Sequence, residues 1–154
     1  MNIIEENKKL CKRYPFLIVR NVWTDKIPDD YDYSRTRLDE VEDGWKDLFL
    51  RMCEEIRESL IKANYLNNFR FSQIKEKWGR LCVYNFGAPK EVYDIINKYE
   101  ILSAHTCIRC GAPATKISQS WICPYCDACA QRISDHERFI SVGEWFKEDN
   151  DGNY

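Results

Sequence analysis

Cys107-Ile108-Arg109-Cys110-Gly111 and, further on, Cys126-Asp127-Ala128-Cys129-Ala130 set the shape of the last third of this 154-residue chain. Two CxxC pairs with 15 residues between them match the spacing of a four-cysteine zinc site. Zinc favours four soft ligands in a tetrahedron; one CxxC turn aims two sulfurs at a point and a second turn closes the site. Gly111 follows the first pair, where a tight knuckle needs the positive φ that glycine tolerates. Between the pairs, Thr115-Lys116-Ile117-Ser118 and Ser120-Trp121-Ile122 read as a small hairpin. After the second pair, Ala130-Gln131-Arg132-Ile133 reads as the start of a helix. Knuckle, hairpin and helix predict a treble-clef or zinc-ribbon-like module in which Cys107, Cys110, Cys126 and Cys129 hold a structural Zn2+.

Cys123 offers a competing pair, because Cys123 and Cys126 also form a CxxC. Pro124 leaves that end extended, whereas Asp127-Ala128 suits a helix opening, so Cys126 with Cys129 is the preferred pair and Cys123 a bystander thiol. His105, two residues before the first ligand, is the other group that could replace a sulfur. Four thiolates leave no coordination position for water, which a catalytic zinc keeps open. A zinc deaminase would carry His-x-Glu upstream and a proline before its CxxC; His105-Thr106-Cys107 lacks the Glu, and Pro124 follows Cys123. His136, beside Asp135 and Glu137, reads as a solvated helix residue. No phosphate-binding glycine loop is present, and two histidines supply no Ser/His/Asp arrangement. The sequence therefore points to a protein that is not an enzyme.

Outward from the cysteines, the chain alternates helix and strand signals. Gly44 opens the strongest helix: Trp45, Leu48, Phe49, Met52, Cys53, Ile56 and Leu60 recur at i, i+3, i+4, i+7, with Asp43 as N-terminal cap. Residues 69 to 86 read as a β-hairpin turning at Gly79. Pro89 precedes a helix with Val92, Ile95, Ile96, Tyr99 and Leu102 on one face. Residues 2 to 14 read as a helix stopped by Pro15, and Phe16-Leu17-Ile18-Val19 as a short buried strand. Cys11, Cys53 and Cys82 read as core thiols. The resulting class is α+β, a helix–β-hairpin–helix core with the metal module behind it. Its parts are an α+β domain at 1–104, a zinc-binding module at 105–140 and an acidic tail at 141–154.

Composition narrows the setting. The chain is 44% apolar and 14% aromatic with net charge −2, which excludes a disordered chain and a protein that coats nucleic acid by bulk charge. No window of 18 apolar residues predicts a membrane span, and the first residues show no basic-then-apolar export signal. Eight cysteines in that setting suit metal or free thiols better than disulfides, and the expected location is a cytoplasm.

Gly44-Trp45 at a helix start, Gln73-Ile74-Lys75-Glu76-Lys77-Trp78-Gly79-Arg80-Leu81, Thr106-Cys107-Ile108-Arg109-Cys110-Gly111-Ala112-Pro113, and Trp121-Ile122 ahead of Cys126-Asp127-Ala128-Cys129-Ala130 stand in a familiar order. The order resembles a group of small, mostly uncharacterised proteins encoded in bacteriophages and prophage regions. The likeness covers about residues 44 to 132. Members usually read KEKFGGLR in the hairpin, so Trp78 and Arg80 depart from the pattern. Their zinc pairs match Cys107, Cys110, Cys126 and Cys129, and cysteine is not usual at the position of Cys123. The resemblance implies no enzymatic activity, and it places the chain in the cytoplasm of a bacterial host.

Two binding readings follow. In the first, a phage-type protein binds a bacterial protein, such as a CRISPR effector nuclease that it inhibits. Residues 25 to 43 carry eight carboxylates against three bases. Asp29, Asp30, Asp39 and Glu40 are the candidate contacts, occupying sites meant for phosphates. The tail adds Asp135, Glu137, Glu144, Glu148, Asp149 and Asp151; both stretches also fit ordinary solvated segments. In the second, the hairpin binds nucleic acid through Arg70, Lys75, Lys77, Trp78 and Arg80, with cations on phosphates and aromatics on bases. An acidic pI near 5.8 weighs against it, and Phe71 and Trp78 also suit a core.

Overall fold

A computed structural model describes residues 2–133 and 135–149. Among these residues, mixed helices and two small antiparallel sheets make the fold α+β. Helix α1 spans Ile3–Arg13, started by Asn2, whose side chain accepts from the Glu5 amide at 2.9 Å. Pro15–Leu17 then forms a 3-10 turn in place of the expected strand. Proline fixes φ for the turn's first position, and Phe16 and Leu17 both bury against the core; a one-sided strand would bury alternate residues only.

Residues 18 to 36 contain no helix or strand. A second 3-10 turn, Arg37–Glu40, is closed by a capping box in which Thr36 accepts from the Leu38 amide and Asp39 accepts from the Thr36 amide at 2.8 Å. Arg37 is buried and donates to Glu40 at 2.9 Å.

Helix α2 spans Lys46–Lys62 and buries the expected stripe, from Leu48 to Leu60. Asp43 is not its cap: Asp43–Trp45 forms a 3-10 turn ahead of it, and Asp43 pairs with Lys46 at 3.1 Å. In that turn the Gly44 amide donates to the Ile108 carbonyl at 2.9 Å, so the helix start is held from the cysteine-bearing segment.

Strands β1 (Phe71–Lys77) and β2 (Arg80–Asn85) pair antiparallel. A bulge between Phe71 and Gln73 brings Phe71 and Ile74 to one face, where they meet Leu81 and Val83 in the core. Phe16, Phe49, Phe69 and Phe71 form an aromatic cluster with ring centroids 5.2 to 5.7 Å apart. Trp78 (φ 49°) and Gly79 (φ 80°) make the two-residue connection, the conformation of a type I′ turn.

Helix α3 spans Lys90–Ala104. It packs on α2 and on β2, and it covers the β2 edge: the Leu81 amide donates to Ser103 Oγ and the Val83 amide to Glu100, each at 2.8 Å. That use of backbone donors blunts an edge strand and explains why Ser103 is buried while Leu102, expected inside, is exposed.

Strand β3 (Lys116–Ser118) lies between β4 (Pro124–Tyr125) and β5 (Phe139–Ser141). Trp121-Ile122 is therefore not a strand: Ser118 Oγ holds a turn by donating to the Trp121 carbonyl. Helix α4 spans Asp127–Ala130, and α5 spans Val142–Asp149. Glu144, Glu148 and Asp149 of the acidic tail thus lie in α5, Asp135 and Glu137 precede β5, and Asp151 lies outside the described residues. His136 sits in a turn, not a helix. Among the described residues no helix is long and apolar enough to cross a membrane.

Cys11 and Cys53 are core thiols, but Cys82 is half-buried on the outer hairpin face, opposite Lys75. Strand alternation puts it there, since Leu81 and Val83 point inward. Burial pushes the thiols of Cys11 (up to about 11) and Cys53 upward and so withholds the thiolate. Maleimide labelling of the native protein, read by peptide mapping, is expected to modify Cys82 at least tenfold faster than Cys53; equal rates would contradict this burial pattern.

Candidate metal centre

The first CxxC turn is built by backbone bonds. The Cys107 amide donates to the Ala112 carbonyl at 2.7 Å and the Gly111 amide to the Cys107 carbonyl at 3.0 Å, with Gly111 at φ 85°. The second pair opens α4: Cys126 is the N-cap, and its sulfur accepts from the Cys129 amide at 3.4 Å. The Ile108 amide donates to the Pro124 carbonyl at 2.9 Å and fixes one turn against the other strand.

The sulfurs of Cys107, Cys110, Cys126 and Cys129 all lie within 4.8 Å of one another, with Cys110 and Cys126 at 3.6 Å. None of the eight cysteines is in a disulfide. The four could hold a metal ion. A tetrahedron with metal–sulfur bonds of about 2.3 Å has edges of about 3.8 Å, so the cluster needs only small closure. Cys107 is buried and Cys110 exposed, leaving one side open to a chelator. Burial opposes ionisation of Cys107, but amide N–H groups of Cys126, Cys110 and Arg109 outweigh it and bring the thiol down to about 7. The Cys129 thiol moves the other way, pushed up to about 12 chiefly by its hydrogen bond with Cys126.

Cys123 and His105 stand outside the cluster. Cys123 is buried, and its thiol lies 4.0 Å from Glu76 Oε1. Burial and then the carboxylates of Glu76, Glu42 and Glu137 push it up to about 12. It lines a cleft of about 290 Å³ with Glu42, Glu76, Arg109 and Tyr125, as a protonated thiol and a poor nucleophile. His105 ends α3 and stacks on Phe146, ring centroids 4.1 Å apart. We expect Cys123→Ser to retain its metal with unchanged stoichiometry in elemental analysis. Metal loss in that variant alone would transfer a ligand position to Cys123.

The four-cysteine module is seated on the core by close backbone approach. A Cβ on Gly44 would lie 2.1 Å from the Cys107 carbonyl oxygen, and Trp45 Nε1 donates to the Thr106 carbonyl at 3.0 Å. At the hairpin tip a Cβ on Gly79 would lie 3.2 Å from the Ile122 carbonyl oxygen, and Trp121 Nε1 donates to Glu76 at 3.3 Å.

The other candidate residues are scattered. Asp29 and Asp30 are exposed, whereas Asp39 and Glu40 are engaged within their own turn. Arg70 donates to the Asn67 and Phe69 carbonyls and lies near Asp25, which is a structural use. Lys75, Lys77 and Arg80 share the outer hairpin face, with Lys77 opposite Arg80, and Trp78 projects from the tip at 76% exposure. Sequence reasoning missed Trp145 and Phe146 of α5, which border that face; helical spacing beyond the acidic residues was the available signal. Compared with family models, curated proteins and solved structures, the chain matches none.

Proposed function

We propose that this chain is a non-enzymatic binding protein whose treble-clef-like module is held by a structural Zn2+, and that its ligand is nucleic acid. Zinc suits the donor set because four thiols with near-tetrahedral spacing complete its coordination and leave no position for a reactive water. Metal binding then contributes folding free energy to the module.

The observation that carries the ligand reading is the outer hairpin face, where Lys75, Lys77 and Arg80 stand together beside an exposed Trp78. Cations there would meet phosphates, and the indole a base. A labelled single-stranded oligonucleotide tests this by fluorescence anisotropy. Three phosphate contacts give a log–log salt slope of about −2 on a single strand, and Lys75→Ser with Lys77→Ser should bring it to about −0.7. No binding of the unaltered protein at 50 mM salt, a condition of ordinary low ionic strength, would reject nucleic acid.

A second reading has its own support. Asp29 and Asp30 are exposed in the acidic loop, and the chain as a whole is negative. On that reading a phage-type protein, in the cytoplasm of a bacterial host, uses them to occupy a phosphate site on a bacterial protein such as a CRISPR effector nuclease. Size-exclusion chromatography with such a nuclease, and with Asp29→Ser/Asp30→Ser, tests it: a stoichiometric complex lost in the variant would support it.

A further inference from the structure

Trp78 sits at a position that neither packing nor turn chemistry explains. It is 76% exposed with φ 49°, in a two-residue turn that favours Asn before Gly. A bulky residue held in the left-handed region carries a conformational cost that such sites retain for a reason other than stability.

Beside it runs a groove of about 970 Å³ with walls from Trp78, Ile101, Trp145 and Phe146. Phe146 is backed by the stacked ring of His105, which fixes its plane. Lys77 supplies charge together with Arg80, which also pairs with Glu100 at 4.0 Å, and among the described residues the lining itself contains no carboxylate. On the other side of Lys77 and Trp78 lies a hollow of about 370 Å³ bordered by Trp121 and by Glu76, whose carboxylate accepts from the Trp121 indole; Trp121 is itself 71% exposed. Aromatic surfaces therefore flank the hairpin tip on both sides, and the cationic strand face leads up to it. Flat apolar walls suit unpaired bases, and a cationic border suits the phosphates that link them. A duplex keeps its base faces stacked inside and offers the walls nothing to cover.

We propose that the groove between the hairpin tip, the end of α3 and α5 is a base-stacking site for single-stranded nucleic acid. This rests on the nucleic-acid reading above and adds the strand type and the stacking residues. The β2 edge is already occupied by Ser103 and Glu100, so an extended peptide cannot add to the sheet there.

The test uses the full, metal-loaded chain with a labelled 12-mer, as single strand and as duplex, and polyglutamate as a polyanion without bases. Trp78→Asn retains the turn and removes the ring; Trp145→Ala removes the opposite wall. Each is expected to weaken single-strand binding about tenfold while leaving the salt slope unchanged, because stacking releases no counterions. Trp23→Ala, at an exposed site outside the groove, should leave affinity unchanged, and the duplex should bind more weakly than the single strand. Single-strand binding that survives both groove variants would overturn the stacking site while preserving the hairpin reading. Equal affinity for duplex or for polyglutamate would likewise overturn it, and no binding to any probe would reject both.

Discussion

Withdrawing the metal should unfold the last third of the chain and leave the helical core standing. Cys107 and Cys129 are buried sulfurs that the module brings together, and the regular structure beside them is limited to short strands and a four-residue helix. Structural zinc contributes about 10 to 16 kcal/mol of apparent binding free energy in small modules, as much as a whole domain's stability of about 5 to 15 kcal/mol. By contrast, α2, α3 and the hairpin share a buried cluster that includes Phe49, Met52, Ile56, Leu81 and Val92. We therefore expect a strong chelator, or Cys129→Ser, to release one metal ion per chain. Amides of residues 107 to 130 should lose at least a thousandfold of their hydrogen-exchange protection, a little over 4 kcal/mol, while those of α2 and α3 lose far less. A chelator-treated protein with unchanged protection at Cys107–Ala112 would show that the four sulfurs do not depend on a metal. Recovery on adding zinc, and not on adding magnesium, would identify a soft-ligand site.

Helical periodicity made α1, α2 and α3 legible, because the apolar stripe of an amphipathic helix is local information. Leu48 to Leu60 announces its burial without knowledge of any neighbour. The four cysteines were equally legible, since metal geometry fixes their spacing. What could not be read were features set by contacts between distant segments. The Gly44 amide is taken by Ile108, so Asp43 has no helix to cap. Ser103 is buried because Leu81 needs an acceptor, and no periodicity favours Ser over Leu102 there. Cys82 differs from Cys53 because the strand register turns it outward. The groove was hidden for the same reason: Trp78 and Trp145 are 67 positions apart, and only the packing of α5 near the end of α3 brings their rings to one hollow.

Gly44→Ala should be among the most damaging single substitutions outside the cysteines. Its Cβ would stand 2.1 Å from the Cys107 carbonyl oxygen and 2.5 Å from the Ile108 carbonyl carbon. Both are backbone atoms of the metal knuckle, which cannot rotate away as a side chain could. Gly111 of the same knuckle, itself at φ 85°, also approaches closely: a Cβ there would lie 3.0 Å from the Gly44 carbonyl oxygen. Overpacking costs about 1 to 3 kcal/mol where neighbours relax, and forcing the knuckle off also removes the Gly44–Ile108 hydrogen bond, worth about 1 kcal/mol. The expected loss is about 3 kcal/mol or more, read as a lower denaturant midpoint with an unchanged slope. Trp45 reports the event independently: its indole is fully buried and donates to Thr106, so displacement of the knuckle should red-shift tryptophan emission. Gly143→Ala is the matched control, since its Cβ would meet nothing closer than 3.9 Å and alanine is the better helix former. Stability within about 0.5 kcal/mol of the unaltered protein, the range of an ordinary surface change, would mean that the metal module does not rest on Gly44.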